Sequence, residues 1–560
     1  MRAILSRESG TIRKPHGGRL RVALAFPNTY NVAMSNLGFQ TAYRLFNEAD
    51  EVVCERVFLP PRQELAALMS RSAPGDRLVS LESQTPAGDF DVLAFSVSFE
   101  WDCTNLLTML RLAGLPLRAS DRNRHHPLVV LGGAVSFLNP EPLAPFVDLV
   151  CVGEGEVLVP DLVRALAAGG DRRSLLEALS LRPGMYVPAL VDVRHDEAGR
   201  IAAIAPAPGS GVSLPVRKAV ARPAELADPP STVVFTPDTE FGSRLLVEAV
   251  RGCARGCRFC WAGYNYLPVR AFDADRLLRI AEAARPHASR VGLVSIALCD
   301  HPEIERILAG LRALGYGISP ASLRLDELTG PIVTALRESG ERTITIAPEA
   351  GSDRLRRVVN KAITNEEILE RASLAFECGI ENLKLYYMIG LPTETDEDLV
   401  AIRDLTAAIR DRLLRHGRRR GAAGRIAASV NPLIPKPGTA YQWWPMEAPA
   451  ITERKMKRLR GLVSPLDNVH FSIKSERHSY YQAMLSLGDR RVAGAIEAAE
   501  RNGGQWRAAA EEAGLDPDWY VCRDRSADPL LPWQVIQGGV HDRFLRGEFA
   551  RGVEGALTPR

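Results

Sequence analysis

Nowhere in the sequence do about 18 apolar residues follow one another, so no membrane-spanning helix is expected. The start, Met1-Arg-Ala-Ile-Leu-Ser-Arg-Glu8, has no apolar core of the signal-peptide kind, and a cytoplasmic protein is the expectation. An excess of either charge is also missing. Seventy basic residues against 67 acidic ones leave a formal +3, which argues against a dedicated nucleic-acid binder. Cysteine is scarce, nine in 560 residues, too few and too uneven for a disulfide scaffold. No repeat of fixed period is present. Hydrophobic residues at 46% and charged residues at 24% are ordinary globular values, which excludes wholesale disorder and collagen-like structure. At about 150 residues per domain, this length points to about three or four domains, fewer if one is a barrel.

The first 20 residues are basic and broken by Gly and Pro, and read as a loose arm. Short continuous apolar runs then alternate with helical patterns, at 21–26, 91–97, 128–133 and 148–153. Continuous apolar strands between helices imply a parallel sheet covered on both faces. Gly and Asn follow the strand ends, where open α/β sheets bind ligands. Residues 21–180 are therefore expected to form a doubly wound, Rossmann-like domain. Over 181–230 Pro accumulates and periodicity fades, as in a connector. Six further strand candidates follow at 244–250, 290–296, 318–323, 343–346, 382–388 and 426–430, with helical patterns between them. Six βα-type units imply an open or partial (β/α) barrel over 231–445, with chemistry at the strand C-termini. The remainder, 446–560, is expected to be a mostly helical extension.

Cys253, Cys257 and Cys260 fall within eight residues on a Gly-bearing loop after the first strand of the second series. Three thiolates at C-x3-C-x2-C can wrap three corners of an iron–sulfur cluster and leave one metal corner open. Structural zinc is the competing reading, but it needs four protein ligands. The next candidates, His287, Cys299 and His301, lie well downstream.

The stretch Arg251-Gly-Cys-Ala-Arg-Gly-Cys-Arg-Phe-Cys260, with Phe259 in the aromatic place, resembles the signature of radical S-adenosylmethionine (SAM) enzymes. The resemblance implies a [4Fe–4S] cluster on Cys253, Cys257 and Cys260, whose open iron chelates SAM. One electron then cleaves SAM to methionine and a 5′-deoxyadenosyl radical. It also implies a low-potential electron donor such as a flavodoxin or ferredoxin, and a substrate that the sequence does not identify. Further segments resemble SAM-binding stretches of the superfamily. These are 321–326 with Ser322 and Arg324, 347–352 with Glu349 followed by Arg354 to Asn360-Lys361, and 384–395 with Lys384 and Gly390. The superfamily's Gly-Gly-Glu stretch after the second strand is absent, and 294–302 stands in its place.

Residues 131–142 and 148–156 resemble the cobalamin-binding-type domain that precedes many radical SAM enzymes. That resemblance implies a corrinoid framed by Asn28, Tyr30, Ser96, Ser98, Gly132, Gly133, Glu154 and Gly155. The Asp-x-His-x-x-Gly signature that brings a histidine to cobalt is missing, and Asp192-Val-Arg-His195 has the wrong spacing. The implied function is radical SAM chemistry, as corrinoid-associated methyl transfer or C–H rearrangement. Two alternatives stay open. One is an RNA-modifying enzyme like the tRNA methylthiotransferases, with Cys54, Cys103 and Cys151 on a second cluster. The other is a non-catalytic iron–sulfur or zinc protein.

Overall fold

Residues 1–70, 78–222, 225–226, 228–320 and 323–559 are described by the computed structural model. The chain divides into two compact units, and both draw on distant parts of the sequence.

The first unit comprises Met1–Ser243, Met484–Tyr520 and Ala527–Gly538. Its sheet holds β1 (Leu20–Thr29), β2 (Val52–Leu59), β3 (Val92–Ser96), β4 (Leu128–Gly132), β5 (Leu149–Cys151) and β6 (Met185–Tyr186) in the order β2-β1-β3-β4-β5-β6. All pairings are parallel except β6 on β5. Val22 to Phe26 are each at most 2% exposed, so consecutive side chains are buried on opposite faces, as a doubly covered sheet requires. On one face Phe39, Tyr43 and Phe46 of the helix Leu37–Glu48 join Val22, Leu24 and Val130 in one core. Asn36 caps that helix by accepting the Phe39 N–H.

The N-terminal residues do not form the expected loose arm. Ser9 bridges Phe235, Lys14 Nζ donates to the carbonyls of Asn47, Ala49 and Val52, and Glu8 pairs with the fully buried Arg56. The expected connector is also more ordered than its composition implied. It contributes β6 to the sheet, then the antiparallel ribbon β7 (Val191–His195) and β8 (Ile201–Pro206), then β9 (Val216–Arg217). The last pairs in parallel with Ile536–Gln537.

The second unit comprises Arg244–Ala483, Val521–Ser526 and Gly539–Arg560. Its strands are β10 (Leu245–Arg251), β11 (Arg270–Ala271), β12 (Arg290–Ser295), β13 (Gly317–Pro320), β14 (Thr343–Glu349), β15 (Asn382–Ile389), β16 (Ile426–Pro432) and β17 (Val469–Ile473). They form two four-stranded sheets, β11-β10-β12-β13 and β14-β15-β16-β17, parallel throughout except for β11. Among the described residues no ladder joins β13 to β14. Strands form at all six candidate positions, the third described over Gly317–Pro320, and β17 adds a strand beyond them. Thr364 and Glu367 make a capping box for the helix Asn365–Glu377. The 25-residue helix Asp396–Arg420 starts on Asp396, Glu397 and Asp398 and ends on Arg418, Arg419 and Arg420, which complements its dipole at both ends.

The last 115 residues are mostly helical, as expected, and are divided between the two units. Helix Val492–Arg501 packs in the first unit on the helix Cys103–Leu112, where Ala495, Ala498 and Ala499 are buried and Glu500 holds Arg111 at 2.8 Å. Helix Asp542–Val553 belongs to the second unit. No helix among the described residues is long and apolar enough to cross a membrane.

Candidate active site

β10 delivers the chain to Gly252, whose φ of +90° only glycine adopts easily, and where a Cβ would meet the Tyr266 carbonyl oxygen at 2.5 Å. The cysteine loop begins there. Cys253 is 8% exposed. Cys260 opens the short helix Trp261–Asn265 and accepts the Gly263 N–H on its sulfur at 3.4 Å. Burial and the neighbouring Cys257 and Cys253 push the Cys260 thiol up to about 12. Burial also raises Cys257, with Lys361 and Arg324 opposing and Glu349 and Cys253 adding to it. The three sulfurs therefore share one electrostatic neighbourhood with residues from the ends of β13 and β14.

Among the described residues no three thiol, imidazole or carboxylate groups close on a single ion. An iron–sulfur cluster asks for something else, since each thiolate binds its own iron and the sulfurs need only face a common space. Soft thiols gathered on one loop suit such a cluster. His301, a candidate for the zinc alternative, is occupied. Its Nδ1 accepts the Glu303 N–H and its Nε2 donates to the Phe272 carbonyl at 2.7 Å.

The other expected contacts divide. Arg324 follows β13 and pairs with Asp326. Burial works against its charge, but Asp326, Cys257 and Cys253 outweigh that and raise its pKa. Its buried Nε has no hydrogen-bond partner. Glu349 ends β14 at φ +65°, a conformation that costs a non-glycine residue roughly 1–3 kcal/mol. Its Oε1 accepts from Lys361 Nζ at 3.0 Å. Gly390 ends the β15 turn, and its N–H is shared by both oxygens of Glu394 at 3.1 Å. Lys455 holds Glu394 at 2.6 Å and also binds Glu447. Lys384 is exposed on β15, on the face turned away from the helices. Phe259 packs with Leu355, Val358 and Val359 in a small apolar cluster. Ser322 lies outside the described residues.

Three sets of contacts were not assigned from the sequence. Where the Gly-Gly-Glu stretch is missing, Asp300 receives Arg255 of the cysteine loop at 3.0 Å, and Glu327 binds the same guanidinium. Lys361 faces both Glu349 and Cys257. Tyr386 is 40% exposed beside Ser429 in register, on a face lined also by Met388 and Asn431. The alternation Ile426-Ala-Ala-Ser-Val-Asn431 was the only sequence signal for that open face.

In the first unit, the order β2-β1-β3-β4-β5 places a topological switch point between β1 and β3, where such sheets bind ligands beyond the strand C-termini. Asn28, Ser96 and Ser98 stand at that point, Gly132 and Gly133 follow β4, and Glu154 and Gly155 follow β5. Several are already engaged. Asn28 donates to Asp102 at 3.0 Å, Ser98 accepts from Asn36, Tyr30 donates to Glu8, and Glu154 accepts the Ala221 N–H. At Gly133, φ +86°, a Cβ would lie 2.5 Å from the Val97 carbonyl oxygen. Asp102, missed in the sequence, is 6% exposed. Burial pushes its carboxyl up to about 6, against hydrogen bonds from Asn28 and Asn105. Cys54 lies within β2, Cys103 opens a helix and Cys151 ends β5, and burial raises all three thiols.

Residues 247–406 match the sequence profile of the radical SAM superfamily, and residues 38–188 that of the N-terminal region of radical SAM proteins. An uncharacterised protein of Methanocaldococcus jannaschii is 28% identical over 417 residues, 73% of this chain and 80% of that one. An uncharacterised methyltransferase of Pyrococcus horikoshii is 24% identical over 49% of this chain and 56% of that one. Among solved structures, the cobalamin-dependent SAM radical enzyme OxsB aligns with TM-score 0.45 at 16% identity, over 69% of this chain and 52% of OxsB. The radical SAM methyltransferase TsrM from Kitasatospora setae aligns with TM-score 0.46 at 14% identity, over 73% and 72% of the two chains.

Proposed function

We propose, from the premise that this chain belongs to the radical SAM superfamily and is an enzyme of it, that it transfers a methyl group or rearranges a C–H bond with help from a corrinoid. Cys253, Cys257 and Cys260 hold the cluster, which supplies the electron for reductive cleavage of SAM. The observation that carries this reading is the convergence of the three thiols with Arg324, Glu349 and Lys361 at the ends of β10, β13 and β14. Strand C-termini are where barrels of this kind do their chemistry. Arg324 directs its guanidinium to the SAM carboxylate. Glu349, paired with Lys361 at the end of β14, contacts the cofactor, and Gly390 brings backbone to its adenine. The exposed face of β15 and β16, with Lys384, Tyr386 and Asn431, receives the substrate.

The corrinoid lies at the β1/β3 switch point, where Gly132 and Gly133 let a flat macrocycle approach backbone. Asn28, Ser96, Ser98, Tyr30, Glu154 and Gly155 frame it. A low-potential flavodoxin or ferredoxin delivers the electron, in the reducing cytoplasm. Anaerobic reconstitution tests the whole. Four irons and four sulfides per chain with 5′-deoxyadenosine as product are expected. S-adenosylhomocysteine formed only in the presence of cobalamin selects methyl transfer, and its absence selects rearrangement. Eight irons point instead to the methylthiotransferase-like alternative. Zinc in place of iron overturns the reading.

A further inference from the structure

Arg258 sits between two cysteines of the triplet loop, yet it is 0% exposed and among the largest fully buried side chains. A buried guanidinium must have its charge paired and its N–H groups satisfied. Here the last stretch of the chain does most of that. Arg258 Nε donates to Glu548 Oε2 at 3.0 Å, Nη1 to the carbonyls of Arg357 and Val358, and Nη2 to the Ala556 carbonyl at 2.7 Å. Glu548, 1% exposed, also accepts from Arg551 and from the Thr558 hydroxyl at 2.6 Å. The helix Asp542–Val553 comes so close that a Cβ at Gly552 would lie 3.0 Å from Arg258 Cδ. A second thread runs through Asn360, at φ +56°. Its amide donates to the carbonyl of Gly256 at 3.0 Å and accepts the Thr558 N–H at 3.0 Å.

We propose that the C-terminal helix and tail form a clasp on the cysteine loop, with Glu548 and Thr558 as positioning residues that act through Arg258 and Asn360. The clasp fixes the loop around Cys257 and Cys260, and Glu548 neutralises the one buried cation inside the triplet. The inference rests on the cluster reading above only for its electrostatic half.

Two measurements on the full chain test it. Hydrogen exchange of the apo-protein should show residues 251–264 opening about 10-fold faster in Glu548→Ala, with β14 to β16 unchanged. The reconstituted Glu548→Gln variant keeps an acceptor for Arg258 but loses the charge. Its cluster should be reduced at a more positive potential, because an unbalanced Arg258 favours the more negative reduced state. Thr558→Val should loosen the loop less, since the Thr558 N–H bond to Asn360 survives. Unchanged loop exchange in Glu548→Ala overturns the clasp, as does equal acceleration across the strands. Should that variant not fold, an unchanged potential in Glu548→Gln overturns it. Loop loosening in a chain that takes up no cluster would leave the clasp standing and sink the cluster reading.

Discussion

β1 and β15 are both central parallel strands, but their side chains meet different surroundings. Along β1, Val22 to Phe26 are buried on both faces. Along β15, Leu383, Leu385, Tyr387 and Ile389 are buried, Tyr387 hydrogen-bonding Thr406 of the helix Asp396–Arg420, while Lys384 and Tyr386 are exposed. A doubly covered sheet has no free face, so a ligand can meet it only at the strand ends. A sheet covered on one face can offer whole rows of side chains. The first unit therefore spends its polar groups on bracing its switch point, and the second keeps a polar face open.

The sharpest break in that comparison is at the cysteine loop itself. Cys257→Ala should abolish both the cluster's visible absorbance and SAM cleavage, and full iron retention in the triple Cys→Ala variant would contradict the assignment. The two strands should next respond oppositely to truncation. Leu24→Ala in β1 should cost about 2–5 kcal/mol of stability, whereas Tyr386→Ala on the open face of β15 should stay within about 0.5 kcal/mol and alter turnover instead. Denaturant unfolding of both variants decides it, and equal losses would erase the distinction. At the cofactor end, Arg324→Ala should weaken SAM binding about 10- to 100-fold, the worth of one charge-assisted hydrogen bond. Unchanged affinity with an intact cluster would remove Arg324 from the site.

A pH-dependent test belongs to Asp102, at the braced switch point of the first unit. Its folded pKa of about 6 lies above the ordinary 3.8. Between those values the folded state holds the proton and the unfolded state does not, so stability falls as pH rises through that window. The loss is at most roughly 3 kcal/mol. Asp102→Asn should flatten the pH dependence and be the more stable protein at pH 7. An identical fall from pH 4.5 to 7 in both proteins would exclude Asp102 as its source.

Local pattern carried a good deal of this. The runs 21–26 and 91–97 read as strands because a doubly buried strand is apolar at every position, a signal that needs no partner to be seen. β17 did not, because Val469-His-Phe-Ser-Ile473 alternates weakly over five residues and earns its place only by pairing with β16. The docking of residues 1–20 was equally hidden. A basic, Gly- and Pro-rich stretch is solvated by default, and it is ordered here because Arg56 and the carbonyls that end the helix Leu37–Glu48 happen to await it.

The cysteine spacing by itself determined that the three thiols share one loop, because three thiols within eight residues stay near one another whatever the rest of the chain does. Which charges surround those thiols was decided only by the tertiary structure. Lys361, Asp300 and Glu548 reach the loop from up to 290 residues away in sequence. Electrostatic coupling depends on distance and burial in space, and a sequence fixes neither until its strands have paired.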